Sequence, residues 1–247
     1  MLLFAPGFAT VDRLRAAFSD AGAKLESDGR PTLRMSARDL TDLALDIDPQ
    51  CMVIPAHVWT PWFGLFGSKS GFDHLEECFL DMAPQIHAIE TGLSSDPAMN
   101  WNIQGLGDRS IVSFSDAHSA PKLGRELTVF DGDLGYGELA DALRHRRVAY
   151  SVEFYPEEGK YHHSGHRKCG VSHSPEDTAR IGQRCPVCNR PLTLGVLHRI
   201  SGLSDGEESS HRDAGGFVQN QEGFPPFIRL VPLIEVIAET MGLGQAS

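Results

Sequence analysis

The chain has 247 residues, 41% of them hydrophobic and 22% charged, the balance of a folded protein with room for one large or two modest cores. No stretch approaches the roughly 20 apolar residues of a membrane-spanning helix, and the apolar start MLLFAPGF lacks a basic leader and is broken by Pro6 and Gly7, so a cytoplasmic protein is expected. The formal charge is −11, yet residues 159–200 carry seven basic side chains against Glu176 and Asp177, a basic island in an otherwise acidic chain.

In chain order, Thr10 is a candidate N-cap for a helix over VDRLRAAFSDAG, whose Val11, Leu14, Ala17 and Phe18 share a face. Asp28-Gly29-Arg30-Pro31 reads as a turn, and Ser36 caps a second helix over ARDLTDLALDID with Leu40, Leu43, Ala44 and Ile47 inward. CMVIPAH is a short apolar run that predicts a buried strand ending at His57. Then follow a helix over HLEECFLDM, a strand IHAIE, a helix-like DPAMNWNI, a strand SIVSFS ending at Asp116, a helix over 136–146 and a strand VAYSVEF. Strands alternating with helices predict an α/β layer or barrel built on a parallel sheet, in which side chains at the carboxyl ends of strands converge on one face. His57, Glu90 and Asp116 each stand at or just past such an end.

After Phe154 the composition shifts to His, Gly, Arg and Cys without helical periodicity, which predicts a separate metal-stapled module over 154–200 following a first unit over 1–153. In the remaining stretch, 201–247, residues 201–223 read as a loop, and VPLIEVIAET predicts a last helix opened by Pro232.

Three constellations carry chemistry. His166-x-x-Cys169 followed by Cys185-Pro-Val-Cys188 offers four soft or borderline donors from two tight turns, the arithmetic of a closed, structural zinc site, with His162 or His163 as alternatives to His166. Cys51 and Cys78 are isolated and read as core thiols. Asp116-Ala-His118, with His57 and Glu90 from other strand ends, could reach one divalent ion that polarises a phosphodiester, although the spacing alone also suits a histidine bonded to a nearby carboxylate. The segment HVWTPWFGLFGSKSGFD, 57–73, places Trp59, Trp62 and Phe66 in a Gly-rich loop, where they could stack on an unpaired base with Lys69 near phosphate, or pack as a hydrophobic lid. Arg167, Lys168, Arg184 and Arg190 of the basic island are candidate phosphate contacts.

Taken together, DGRP at 28–31, IPAHVWTPWFGLFGSKSGFD at 54–73, ETGLSSDPAMNW at 90–101, SDAHS at 115–119, LGRE at 123–126, FYPEEGKYHHSGHRKCG at 154–170 and CPVC at 185–188 resemble endonuclease Q, a family of the PHP (polymerase and histidinol phosphatase) superfamily. The resemblance implies an α/β fold, part of a PHP-type distorted β/α barrel, with an appended small zinc-binding module. It implies a metal-dependent endonuclease of DNA repair that hydrolyses the phosphodiester 5′ to deaminated bases or abasic sites, using zinc, manganese or magnesium. By position, His57 matches a mid-chain PHP ligand, Asp116 and His118 the terminal D-x-H ligands, and Glu90 a family carboxylate. PHP proteins open with an H-x-H strand that has no counterpart here, so the chain is expected to lack the first strands and roughly half of the catalytic ligands. A zinc-containing DNA-binding remnant and a PHP phosphoesterase acting on small phosphate esters are the competing readings.

Overall fold

The computed structural model describes residues 1–26, 32–206 and 210–243, so the turn expected at 28–31 lies outside the described residues. Strand β1 (Leu2–Phe4) pairs antiparallel with β2 (Met52–Ile54), Leu3 facing Val53. Helices α1 (Phe8–Asp20) and α2 (Ala37–Ile47) lie between them in the chain. The first helix is capped at Gly7, three residues before the expected cap. Thr10 is buried inside its first turn and donates its hydroxyl to Asp48 Oδ2 at 2.6 Å, a tertiary bond that replaces the capping role. Thr10, Leu14 and Phe18, spaced four apart, make the inner face, and Val11 turns outward. The second helix begins as the sequence predicts, Ser36 Oγ accepting from Asp39 N at 3.0 Å, with Leu40 and Ala44 buried.

Beyond β2 the chain forms α3 (Leu75–Phe79), a 3₁₀ turn and β3 (Ala88–Glu90), then α4 (Ala98–Trp101) and β4 (Ser110–Val112), which runs parallel to β3 with Ile89 facing Ile111. Bonds from Glu90 N to Pro55 O (2.9 Å) and from Val58 N to Glu90 O (3.1 Å) carry the chain past β2 onto β3. β5 (Leu127–Val129) joins β4 through Thr128 Oγ1, which accepts from Ser113 N and donates to Ser113 O, both at 2.9 Å. After α5 (Tyr136–Arg144), β6 (Tyr150–Glu153) pairs antiparallel with β5. The expected parallel pairing therefore holds at β3 and β4, whereas β1 and β5 run against their neighbours.

Cys51 and Val53 enter the larger core with Phe18, Trp59, Phe66, Phe79 and Trp101, while Met52 and Ile54 enter a smaller one with Val112 and Leu143. A strand buried on both faces explains the unbroken apolar run. Each such fully buried large side chain stabilises by about 1.5–3 kcal/mol relative to exposure.

The Cys/His segment folds as a hairpin, β7 (Ser164–His166) with β8 (Val171–His173), followed by α6 (Pro175–Ile181) and α7 (Val196–Leu203). The two helices were not visible as periodicity because they span seven and eight residues; α6 is set instead by its cap, Ser174 accepting from Asp177 N at 3.1 Å with Pro175 at the first position. The loop expected over 201–223 contains structure. β9 (Ser210–Arg212), β10 (Val218–Asn220) and β11 (Phe227–Arg229) extend the β5–β6 pair into a sheet of order β5-β6-β11-β10-β9, with β11 parallel to β6. Three-residue polar strands such as SHR carry too short a pattern to be read from sequence. Helix α8 (Leu233–Thr240) follows Pro232 as predicted and buries no residue. No helix among the described residues is long and apolar enough to cross a membrane.

Candidate metal centres

The ligand atoms of His166, Cys169, Cys185 and Cys188 lie within 4.8 Å of one another. Donors about 3.8 Å apart suit a tetrahedral shell of Zn–S bonds of about 2.3 Å, so the group is compact enough to close around an ion. Local turns build it. His166 ends β7, a 3₁₀ turn carries Cys169, and Gly170 then takes the left-handed conformation (φ 65°) that reverses the chain into β8. On the second arm, Cys185 N donates to Arg190 O and Asn189 N to Cys185 O, both at 2.8 Å, with Asn189 left-handed at φ 58°. His166 Nδ1 lies 3.3 Å from Cys188 Sγ. Burial pushes the Cys185 thiol up, but the N–H groups of Cys188 and Val187, together with His166, draw it down to about 6. Burial and the two neighbouring sulfurs hold Cys169 at about 11. His166, not His162 or His163, completes the quartet: His162 is buried with Nδ1 lacking a hydrogen-bond partner, and its ring meets His163 edge-on.

The second group is assembled from strand ends. His57 follows β2, Glu90 closes β3, and Asp116 and His118 follow β4. His57 and Asp116 both hold positive φ (39° and 43°), uncommon for residues with a Cβ and a sign of backbone held in place by its surroundings. Gly92 makes the first of these possible, since a Cβ there would lie 2.7 Å from that of His57. His57 Nδ1 lies 3.1 Å from Thr60 Oγ1, a hydroxyl that also contacts the carbonyls of His57 and Trp62. His118 Nδ1 donates to Asp116 O at 2.8 Å. That leaves Nε2 of His118 with its lone pair, the arrangement of a metal-ready imidazole. Burial, then the Met1 ammonium, hold His57 below its ordinary value, which keeps it neutral.

Glu90 is tied into the backbone. Its carboxylate accepts from His57 N (2.5 Å), Gly92 N (3.0 Å) and Phe114 N (3.3 Å), which makes it a brace across three strand ends. Among the described residues, these four side chains do not form a ligand group as tight as the His/Cys quartet.

Sequence reasoning missed a set of buried acids beside this brace. Glu126, Glu153 and Asp96 are all buried. Ser113 and Ser151 hydroxyls both bond Glu153 Oε1, and Glu126 accepts from Phe154 N at 3.0 Å, but Oε2 of each glutamate has no hydrogen-bond partner. Burial, with Glu90 and Asp96 near, raises Glu126 to about 8; burial and Glu126 push Glu153 well above the carboxylate range. Arg229 pairs with Asp96 from β11. An acid inside the apolar strand VAYSVEF was the available signal.

The aromatic loop divides. Trp59 and Phe66, expected to meet a base, are 1% and 0% exposed; they pack on each other in the core, and Trp59 Nε1 donates to Asn100 Oδ1 at 2.7 Å. Their faces are spent on packing, which corrects that expectation. Trp62 is half-exposed against the edge of Tyr161, and Phe63 is 91% exposed. Lys69 lies 3.5 Å from Leu192 O, so its ammonium reaches toward the Cys/His module. Arg167, Lys168, Arg184 and Arg190 are exposed on that module, Arg184 steadied by a bond to Asn189 O.

These features define a mixed α/β protein with one tight His/Cys group and a looser set of imidazole and carboxylate groups at strand ends. In three dimensions the chain is similar to endonuclease Q. It matches the lesion-specific endonuclease from Pyrococcus furiosus with a TM-score of 0.80 and 28% identity, over 99% of this chain and 58% of that one. An endonuclease Q in complex with a 27-mer duplex substrate carrying an abasic lesion at its active site matches with a TM-score of 0.81 and 28% identity, over 99% and 59%. Uncharacterised proteins of Methanocaldococcus jannaschii and Bacillus subtilis are 31% and 33% identical over 194 and 159 residues, spans that make up 75% and 62% of this chain but 23% and 39% of theirs. The chain thus spans less than two thirds of each. No family profile matches it.

Proposed function

We propose that the chain carries out, or contributes to, metal-dependent incision of DNA on the 5′ side of deaminated bases or abasic sites. One observation carries the reading: almost the whole chain superposes on an endonuclease Q engaged with an abasic duplex. On this reading the strand row from β1 to β6 belongs to a PHP-type β/α barrel, and the Cys/His module is a structural zinc site whose basic face meets phosphate. His57, Asp116 and His118 would hold a divalent ion, whose chemistry is to polarise the phosphodiester and supply hydroxide near neutral pH. The chain's own residues prepare that face: the Glu90 brace fixes the His57 backbone, the Thr60 hydroxyl orients the His57 ring, and the Asp116 carbonyl fixes the tautomer of His118. Incision of a uracil-containing or abasic duplex, with none of the intact duplex, is the expected result; absence of incision at every divalent metal tried would overturn the catalytic reading.

A second reading, a zinc-containing DNA-binding protein without hydrolytic function, is favoured by the contrast between the compact His/Cys quartet and the spread strand-end set. Metal content separates the two. The nuclease should bind further ions beside the one in the quartet, and the non-catalytic protein should bind that one alone.

A further inference from the structure

The loop from His57 to Asp73 is rigid in a way that an ordinary surface loop is not. A Cβ on Gly64 or Gly67 would stand 2.5 or 2.3 Å from Thr60 O, and one on Gly71 would stand 2.1 Å from Gly67 N, so the backbone packs on itself with no room for a side chain. Phe66 N bonds Val58 O, Lys69 N bonds Pro61 O and Phe72 N bonds Leu65 O, at 2.8 to 2.9 Å. Trp59 and Phe66 root the loop in the core. From outside, Ser68 Oγ donates to Leu194 O, and Arg199 clamps the carbonyls of Phe66 and Phe72.

At the tip of this braced loop Phe63 is left-handed, φ 62°, and 91% exposed. A bulky side chain in that region is a genuine outlier, costly to hold. Its N–H is fastened to Ser70 Oγ at 2.9 Å, and the carbonyl of Trp62 before it is tied through the Thr60 hydroxyl to His57. Both strain and exposure of a large apolar ring disfavour the folded state, and among the described residues nothing covers the ring. A scaffold that holds an aromatic ring outward against both costs suits a ring that inserts into something apolar and stacked.

We propose that Phe63 is a wedge that enters the base stack of duplex DNA at a weakened position and fills the space left as the damaged nucleotide moves out. This rests on the DNA reading above and extends it by naming the group that senses the lesion. Apolar wedges unstack base steps at a cost that is lower where pairing is already poor, so one ring can favour deaminated and abasic positions alike. Trp62, edge-on to Tyr161 with Lys160 4.8 Å over the Tyr161 ring, lies beside it as a second, less exposed surface.

The test measures binding of the full chain to a 27-mer duplex with one abasic position and to the same duplex intact, with 2-aminopurine beside the lesion as a reporter of unstacking. The wild type should prefer the abasic duplex and raise the 2-aminopurine fluorescence. Phe63→Ala should lose roughly 5- to 100-fold of that preference, the span of one base-stacking contact, and lose the fluorescence rise, while binding to intact duplex stays the same. Phe63→Tyr should retain both signals. Phe63→Gly should lose them and melt a few degrees higher, because glycine adopts the left-handed conformation without strain. If Phe63→Ala keeps both the preference and the fluorescence rise, the wedge is wrong and the DNA reading stands. If the wild type binds neither duplex, the DNA reading fails and the wedge with it.

Discussion

The two candidate metal centres are built on opposite principles. The His/Cys quartet comes from two short arms within residues 166–188, each closed by its own turn, so its geometry needs little beyond a hairpin and a knuckle. The strand-end set gathers His57, Asp116 and His118 from the ends of β2 and β4 and depends on Glu90, at the end of β3, to hold those ends in register. A local site survives as long as its own segment folds. A convergent site is only as complete as the row of strands that feeds it, and the solved endonuclease Q chains are longer than this one.

Removing one ligand of the quartet should have the largest effect. Structural zinc in small modules contributes apparent binding energies of about 10–16 kcal/mol to folding, so Cys185→Ala should abolish the tightly held ion and melt the module well before the remainder. The damage should spread to the aromatic loop, because Ser68 and Lys69 are tied to Leu194 and Leu192 of the module. Metal analysis of the purified protein and a melting curve check this; unchanged metal content would remove the quartet from consideration.

The convergent site should respond differently. Asp116 is exposed and left-handed, a conformation that asparagine tolerates well, so Asp116→Asn should leave melting unchanged while removing an anionic ligand. Titration with manganese should show the weaker class of ion lost and the quartet ion kept, and any incision of abasic duplex should fall by a factor of about 100 or more. Wild-type metal binding by this variant would sever Asp116 from the site.

What was legible in the sequence follows the same division. The quartet could be read because its ligands are close along the chain and x-x spacing fixes their geometry. The strand end at Glu90 could be read because an apolar run stops there, whereas β2 stops at Ile54 and β4 at Val112, three and four residues short of the ends expected at His57 and Asp116. The bracing role of Glu90 could not be read, since three backbone N–H groups from three segments define it. Trp59, Phe63 and Phe66 are alike in sequence; only the packing of the loop decides that two of them are core and that Phe63 faces out. The buried pair Glu126 and Glu153 was half legible: an acid inside the apolar VAYSVEF marks Glu153, but β5 and β6 meet only in space, and LGRE says nothing about its neighbour.

That pair sharpens the comparison through pH. The folded chain retains the Glu126 proton up to about 8, whereas an unfolded glutamate releases it near 4.5. The contribution to stability is therefore full below about 4.5, declines as pH rises through that interval and is gone above about 8. Glu126→Gln cannot ionise, so relative to wild type it should gain roughly 4 kcal/mol at pH 8 and less than about 1 at pH 5, at about 1.4 kcal/mol for each unit by which the folded carboxyl is raised. Denaturant melts at the two pH values measure it, and an equal effect at both would show that Glu126 does not hold its proton.

The smallest expected effect concerns the basic face of the module. Arg167 is exposed and carries none of the ligand atoms, so Arg167→Ala should leave both metal and melting in place. If the module meets phosphate, log affinity for any duplex, intact or damaged, should fall, and the slope of log affinity against log salt should shallow by about 0.9, one counterion for one phosphate contact. Lesion preference should be unchanged, because phosphate contacts position a duplex without reading its bases. Against Phe63→Ala, which should change preference and leave the salt slope alone, the Arg167 variant gives the reciprocal pattern. A loss of preference with an unchanged slope on Arg167→Ala would mean that the module senses the lesion and that phosphate is held elsewhere.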